Sequence, residues 1–210
     1  MKNSFSQERF RSHDGRQHIR HDWYAAGIPG NTVLHPTAYL DSSYGFSAFH
    51  SEQQPGLTLG TECGYYNRGA FITGRAGRID VGNYTVLNGT TLICYERISI
   101  GSHCLLSWGS IVADGWLDPS ATPPDVRRRL LETIAHDPRR CLLSGSEPRP
   151  VVLEDNVWVG FGAIILPGVR LGEGCVVASK AIVNQNVEPY TVVAGDPLRI
   201  IRRLEPESRK

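Results

Sequence analysis

The chain has 210 residues, with 22 Lys and Arg against 21 Asp and Glu and a hydrophobic fraction of 40%. That length suits one domain, and the near balance of charge leaves no electrostatic footprint for nucleic acid. No apolar run approaches a membrane span, residues 1–10 are too polar for a signal peptide, and five cysteines without a Cys-x-x-Cys pair fit a reducing cytoplasm.

Residues 1–56 carry no repeat. Trp23, Tyr24, Tyr39, Tyr44, Phe46 and Phe49 make this segment an expected apolar cap. Leu59-Gly60, Cys63, Tyr65 and Gly69 read as a first coil of a six-residue period, and Val81-Gly82 starts another, with Thr85, Leu87, Thr91 and Ile93 in phase. It restarts one residue late at Ile100-Gly101, followed by Cys104, Leu106, Ser110 and Val112. Residues 113–150 break the phase and read as an excursion. Inside it, Pro123-Pro124-Asp125 opens a run of helix formers, Val126–Ala135, and His136-Asp137-Pro138 closes it.

From Leu153 the period is strict: Leu153, Val159, Ile165, Leu171, Val177 and Val183 are branched aliphatics six residues apart. Four residues after each stand Val157, Ala163, Val169, Cys175, Ala181 and Val187, all small or apolar. Neither an amphipathic helix nor a simple strand keeps this spacing. A six-residue unit is a short strand plus a turn, and three units close one triangular coil. The expected architecture is all-β: a parallel β-helix over 57–204, an extruded loop over 113–150 carrying a short helix, and a basic tail over 205–210. Cys63, Cys104 and Cys175 fall in inward small-residue slots.

Two strings, VVLEDNVWVGFGAIILPG at 151–168 and VVAGDPLRIIR at 192–202, resemble the hexapeptide-repeat acyltransferases, and most closely their maltose, galactoside and polysaccharide O-acetyltransferase branch. The resemblance covers roughly residues 57–204. It implies a left-handed β-helix, a homotrimer, and acetyl-CoA bound in the clefts between subunits. It also implies an O-acetyl transfer to a sugar or glycan precursor. Trp158 matches the family tryptophan beside the thioester end, and Gly160 follows it at the corner. Ser179, Lys180 and Asn184 fall where the pantetheine arm is lined. Pro197, Arg199 and Arg202 match the loop near the nucleotide, where guanidinium forks suit phosphates.

The family's general base is a His at the start of the extruded loop. Here that stretch reads Ala113-Asp114-Gly115-Trp116-Leu117-Asp118-Pro119, with Asp118 in the expected place. His136, the loop's only His, is therefore the candidate base, set against a plain helix-ending role. Asp114 and Asp118 are candidates to orient a base or bind the acceptor, set against corner turns. Trp108 and Trp116 are candidate walls of an acceptor pocket, and His103 reads as a solvated turn residue. The alternative function is a trimeric family member that binds a ligand or partner without transferring acyl groups. A metal-dependent hydratase would need three coil-face histidines, so no metal site is assigned.

Overall fold

The computed structural model describes residues 10–13, 16–116, 122–136 and 147–206. Among these, Phe10–His13 and Arg16–Ile19 form an antiparallel hairpin, and the strands from Thr32 to Ala194 wrap into a triangular prism in which each pairs in parallel with its equivalent one coil away. The first face carries Thr32–Leu34, Leu57–Leu59, Arg78–Val81, Arg97–Ile100, Val151–Leu153 and Arg170–Leu171. The second carries Tyr39–Leu40, Gly64–Tyr66, Val86–Asn88, Leu105–Leu106, Trp158–Val159, Val176–Val177 and Thr191–Ala194. The third carries Ala70–Thr73, Thr91–Cys94, Ile111–Ala113, Ile164–Ile165 and Ile182–Val183. This is the parallel β-helix expected from the period, and it is consistent with the left-handed form that the resemblance implies.

The six aliphatics from Leu153 to Val183 are all at most 1% exposed and stack in three columns inside the prism. Full burial of one such side chain contributes roughly 1.5–3 kcal/mol, so the inward columns form the core. Corners must let successive coils approach closely. A Cβ on Gly160 would lie 2.5 Å from the Ser179 backbone nitrogen, so no other residue fits there.

Two expectations change. The parallel stack begins before residue 57: Thr32–Leu34 pairs with Leu57–Leu59, and Tyr39–Leu40 pairs with Gly64–Tyr66. The aromatic part of the expected cap plugs the open end instead. A short 3-10 turn at Ser43–Phe46 sets Phe46 on Phe71, at 5.0 Å between centroids, and Phe71 stacks on Tyr65 at 4.6 Å. Leu34, Leu40 and Phe46 keep the six-residue spacing here, but the run is only three residues long and ends in a ring, so the coil does not stand out in the sequence.

The second change concerns Thr91 and Ile93, which point outward. Gly89, at φ +62°, closes the preceding corner one residue early, so Thr90, Leu92 and Cys94 face inward. The chain regains its phase through a longer turn at 95–97 between the third and first faces.

That edge is also where the excursion leaves. The Arg149 N–H donates to the Asp114 carbonyl at 2.7 Å and closes its neck. The helix α1 spans Pro124–His136, slightly longer than the expected 126–135. At the far end Arg199–Arg203 turns back antiparallel onto Thr191–Ala194.

Candidate functional site

Trp158 begins its strand on the second face with Val159 pointing inward, so the indole projects outward and is 53% exposed. Its register partners are Leu105 one coil before and Val176 one coil after, both partly buried. The indole therefore stands on an apolar strip formed by its own face. Gly160 closes the following corner as described, and Phe161 comes next, 51% exposed.

Ser179 and Lys180 occupy the same edge one coil further on, both exposed. Lys180 takes φ +64°, its N–H donates to the Phe161 carbonyl, and its side chain lies over Gly162. Asn184 is exposed as well but sits on the edge between the third and first faces. The strand Ile182–Val183 separates it from Ser179, so one copy of the chain does not bring these two residues together. Pro197, Arg199 and Arg202 are exposed at the far end of the second face, and Arg202 pairs across from Val192. Two guanidinium groups there, with the Lys180 ammonium, give a chemically suitable set for phosphates.

The catalytic candidates fare differently. Asp114 is 0% exposed. Its carboxylate accepts from the backbone N–H groups of Tyr95, Glu96 and Arg97 at 2.7–2.8 Å, with the Cys94 thiol at 3.5 Å. Those donors belong to the long turn that restores the phase, so Asp114 fills that turn from inside. A carboxylate so enclosed reaches no substrate, and the expectation that Asp114 orients a base or binds an acceptor is corrected on this ground. Asp118 lies outside the described residues.

His136 is the last residue of α1 and is exposed. No hydrogen bond or ring contact joins it to Trp158 within the chain. An imidazolium there suits the C-terminal end of a helix dipole. His103 is exposed at φ +59° on the edge between the first and second faces, stacked on Tyr84 at 5.1 Å between centroids. Burial pushes the Cys104 thiol up to about 11, and burial with the nearby Asp114 carboxylate pushes Cys94 further. Neither is a ready nucleophile.

Three pairings of outward side chains were not foreseen, although Trp108 was a candidate pocket wall and Trp23 and Tyr44 belonged to the expected cap. Trp108 and Phe161 stack on each other across adjacent coils at 5.4 Å and 23°. Asn67 donates its side-chain amide to Asn88. Trp23 packs against Tyr44 at 5.4 Å and lies under the Arg68 guanidinium at 5.8 Å. The available signal was position: Asn67, Asn88, Trp108 and Phe161 fall at the same corner of successive coils, but only the described structure aligns coils of unequal length.

Residues 150–185 match the family model described as bacterial transferase hexapeptide (six repeats). A putative acetyltransferase of Schizosaccharomyces pombe is 45% identical over 58 residues, which is 28% of this chain and 28% of that one. The chain thus spans only about a quarter of the length of the curated relatives it matches. Among solved structures, a hexapeptide-repeat acetyltransferase of Vibrio cholerae complexed with acetyl coenzyme A superposes with a TM-score of 0.53 at 27% identity. That match covers 77% of this chain and 75% of that one. A maltose O-acetyltransferase of Clostridium difficile shares the fold with a TM-score of 0.54 at 23% identity, over 70% of each chain. The matched repeat, the triangular parallel stack and these likenesses make the chain similar to the hexapeptide-repeat acetyltransferases in fold and in its 150–185 stretch.

Proposed function

We propose that the chain transfers an acetyl group from acetyl-CoA to a hydroxyl of a sugar or glycan precursor, acting as a homotrimer. The observation that carries this reading is the outward Trp158 on its apolar strip, inside the stretch that matches the transferase model. The trimer is supported by the third face. Its outward column runs Ala70, Thr91, Ile111, Ile164 and Ile182, with Ile72 and Ile93 beside it. Such a column favours burial against copies of itself around a threefold axis. Packing these faces together would set the Ser179 edge of one copy beside the Asn184 edge of the next, in a groove that Trp158 overlooks. The excursion leaves from that Asn184 edge, so it would reach the neighbour's second face.

In the reaction the acceptor oxygen attacks the thioester carbonyl, its proton passes to a base, and the C–S bond breaks to release the thiol. Trp158 would hold the donor arm, with Ser179 and Lys180 alongside. Arg199 and Arg202 would take the phosphates. His136 remains the proposed base, supplied across the groove by a neighbouring copy, with Asp118 as the other loop-start candidate. A cytoplasmic setting goes with this reading; no helix among the described residues is long and apolar enough to cross a membrane.

Thiol release from acetyl-CoA, measured with and without sugar acceptors, tests the transfer. Release should be slow in water and rise with a suitable acceptor, and His136→Ala should reduce it by about 100-fold. Unchanged turnover in that variant would remove His136 from the mechanism. The alternative, a trimer that binds without transferring, draws on the enclosure of Asp114 and the missing loop-start His. Binding of coenzyme A with no release toward any acceptor would favour it.

A further inference from the structure

The edge joining the second and third faces carries a row of outward aromatic and amide groups. The backbone there is a ladder along the prism axis. The Gly89 N–H donates to the Tyr66 carbonyl, Gly109 to Gly89, Gly162 to Trp108, and Lys180 to Phe161. Positive φ angles recur at Asn67, Arg68, Gly89, Gly109, Gly162 and Lys180, so each coil turns the same way at this edge. The side chains ahead of those turns point outward in one row.

From the plugged end upward, the row begins with Trp23 and Tyr44, which are 63% and 43% exposed and braced by the Arg68 guanidinium. Tyr24 meets the Tyr44 ring edge-on at 5.3 Å. Beside it opens a cleft of about 360 Å³ lined by Tyr24, Ser43, Phe46 and Ser47 among others. Next come polar groups: the Asp41 carboxylate accepts from the Asn67 backbone N–H at 2.7 Å, and the Asn67 amide donates to Asn88. Then the Trp108 ring lies over Gly89 and stacks on Phe161. The Asn88 amide nitrogen and the second lone pair of each amide oxygen remain available to a ligand at this point. Aromatic faces alternating with amides and a carboxylate are the chemistry that holds sugar rings, which present apolar C–H faces and hydroxyl edges.

We propose that this edge is a binding strip for an extended sugar chain, with the Trp108–Phe161 stack holding the unit nearest Trp158 and the Trp23–Tyr44 cluster holding a distal unit. Successive coils stand ~4.8 Å apart, comparable to the advance of one sugar ring, so the groups recur at the spacing of the ligand. The strip deepens the proposed function by making the acceptor a chain rather than a single sugar, and it rests on that reading only for the transfer step. It also gives the plugged end a role: the aromatic segment there supplies the far subsite. In the proposed trimer the strip forms one wall of the groove between copies.

Calorimetric titration of the 210-residue chain without any acetyl donor tests binding apart from catalysis. The probes are linear glucans and chitin oligomers of one and of five units. At least one series should bind about tenfold more tightly as the five-unit chain. Trp23→Ala should erase most of that gain in length, and Trp108→Ala should weaken both lengths. Thermal unfolding and sedimentation of each variant control for folding and assembly, and Asn88→Ala serves where Trp108→Ala does not fold. The proposal is overturned if neither series gains with length, or if Trp23→Ala leaves the ratio between lengths unchanged. It is also overturned if Trp108→Ala dissociates the assembly while sugar binding persists, because the edge is then a subunit contact. Acetyl transfer, measured separately, can succeed or fail independently of these outcomes.

Discussion

The first and third faces share one strand geometry and each carries its own aliphatic inward column, yet their outward sides differ in chemistry. On the third face the outward column is Ala70, Thr91, Ile111, Ile164 and Ile182. On the first it is Thr58, Asp80, Ser99, Val152 and Arg170, with Arg78 and Arg97 both holding Asp80 and Arg170 paired to Glu154. Inward positions decide that a coil forms. Outward positions decide what the coil meets, and the two requirements are written on alternate residues of the same short strands.

The contrast is broken most directly by charging the third face. Ile111→Lys combined with Ile164→Lys should abolish assembly in sedimentation velocity, while Ser99→Lys on the first face should leave the mass unchanged. Equal behaviour of the two variants would remove the argument for the third face as the subunit contact. At the seam between these faces, Asp114→Asn keeps the shape but removes the charge and turns an amide NH2 toward either the Tyr95 donor or the Glu96 and Arg97 donors. Chemical denaturation should show a loss of about 3 kcal/mol. A loss below about 1 kcal/mol would mean that the turn at 95–97 closes without the carboxylate.

Smaller effects sharpen the picture. The four described cysteines, Cys63, Cys94, Cys104 and Cys175, are buried with raised thiol pKa values. They should resist a thiol reagent at pH 8 until the chain unfolds, so fast native labelling of any of them, located by mass spectrometry, would contradict the packing. The smallest effect belongs to the first face itself. Asp80→Ala removes the acceptor of two partly exposed ion pairs and should cost about 1 kcal/mol or less. A larger loss would make that face a structural network rather than a solvated one.

The coil block from Leu153 onward was legible in the sequence because each face sets a branched aliphatic inward at a strict interval of six and each corner has the same length. The earlier coils were legible only in part. Thr91 and Ile93 kept the count of six but not the geometry, because Gly89 shortens one corner and the turn at 95–97 lengthens the next. Leu59 and Tyr65 could be read in phase, and Phe71 continues their spacing of six, but the coil before them on Leu34, Leu40 and Phe46 is too short a run to stand out. Trp158 could be placed because its neighbours Val157, Val159 and Gly160 fix its direction. Asp114 could not, because an Asp at a corner and an Asp sealed inside a turn read the same until the partners of its oxygens are known. The stack of Trp108 on Phe161 spans more than fifty residues of sequence, most of them the excursion, and no local pattern links its two halves.

The neck between Asp114 and Arg149 has one more consequence. The strands on either side of it pair across the excursion: Ile98–Ile100 with Val151–Leu153, Leu105–Leu106 with Trp158–Val159, and Ile111–Val112 with Ile164–Ile165. Continuity of the prism thus passes through space rather than through the covalent chain at that level. A protease nick in the excursion should leave two fragments that still comigrate as one folded body. By the same logic the excursion is a cassette: its length and content can be exchanged between related chains without disturbing the register of a single coil.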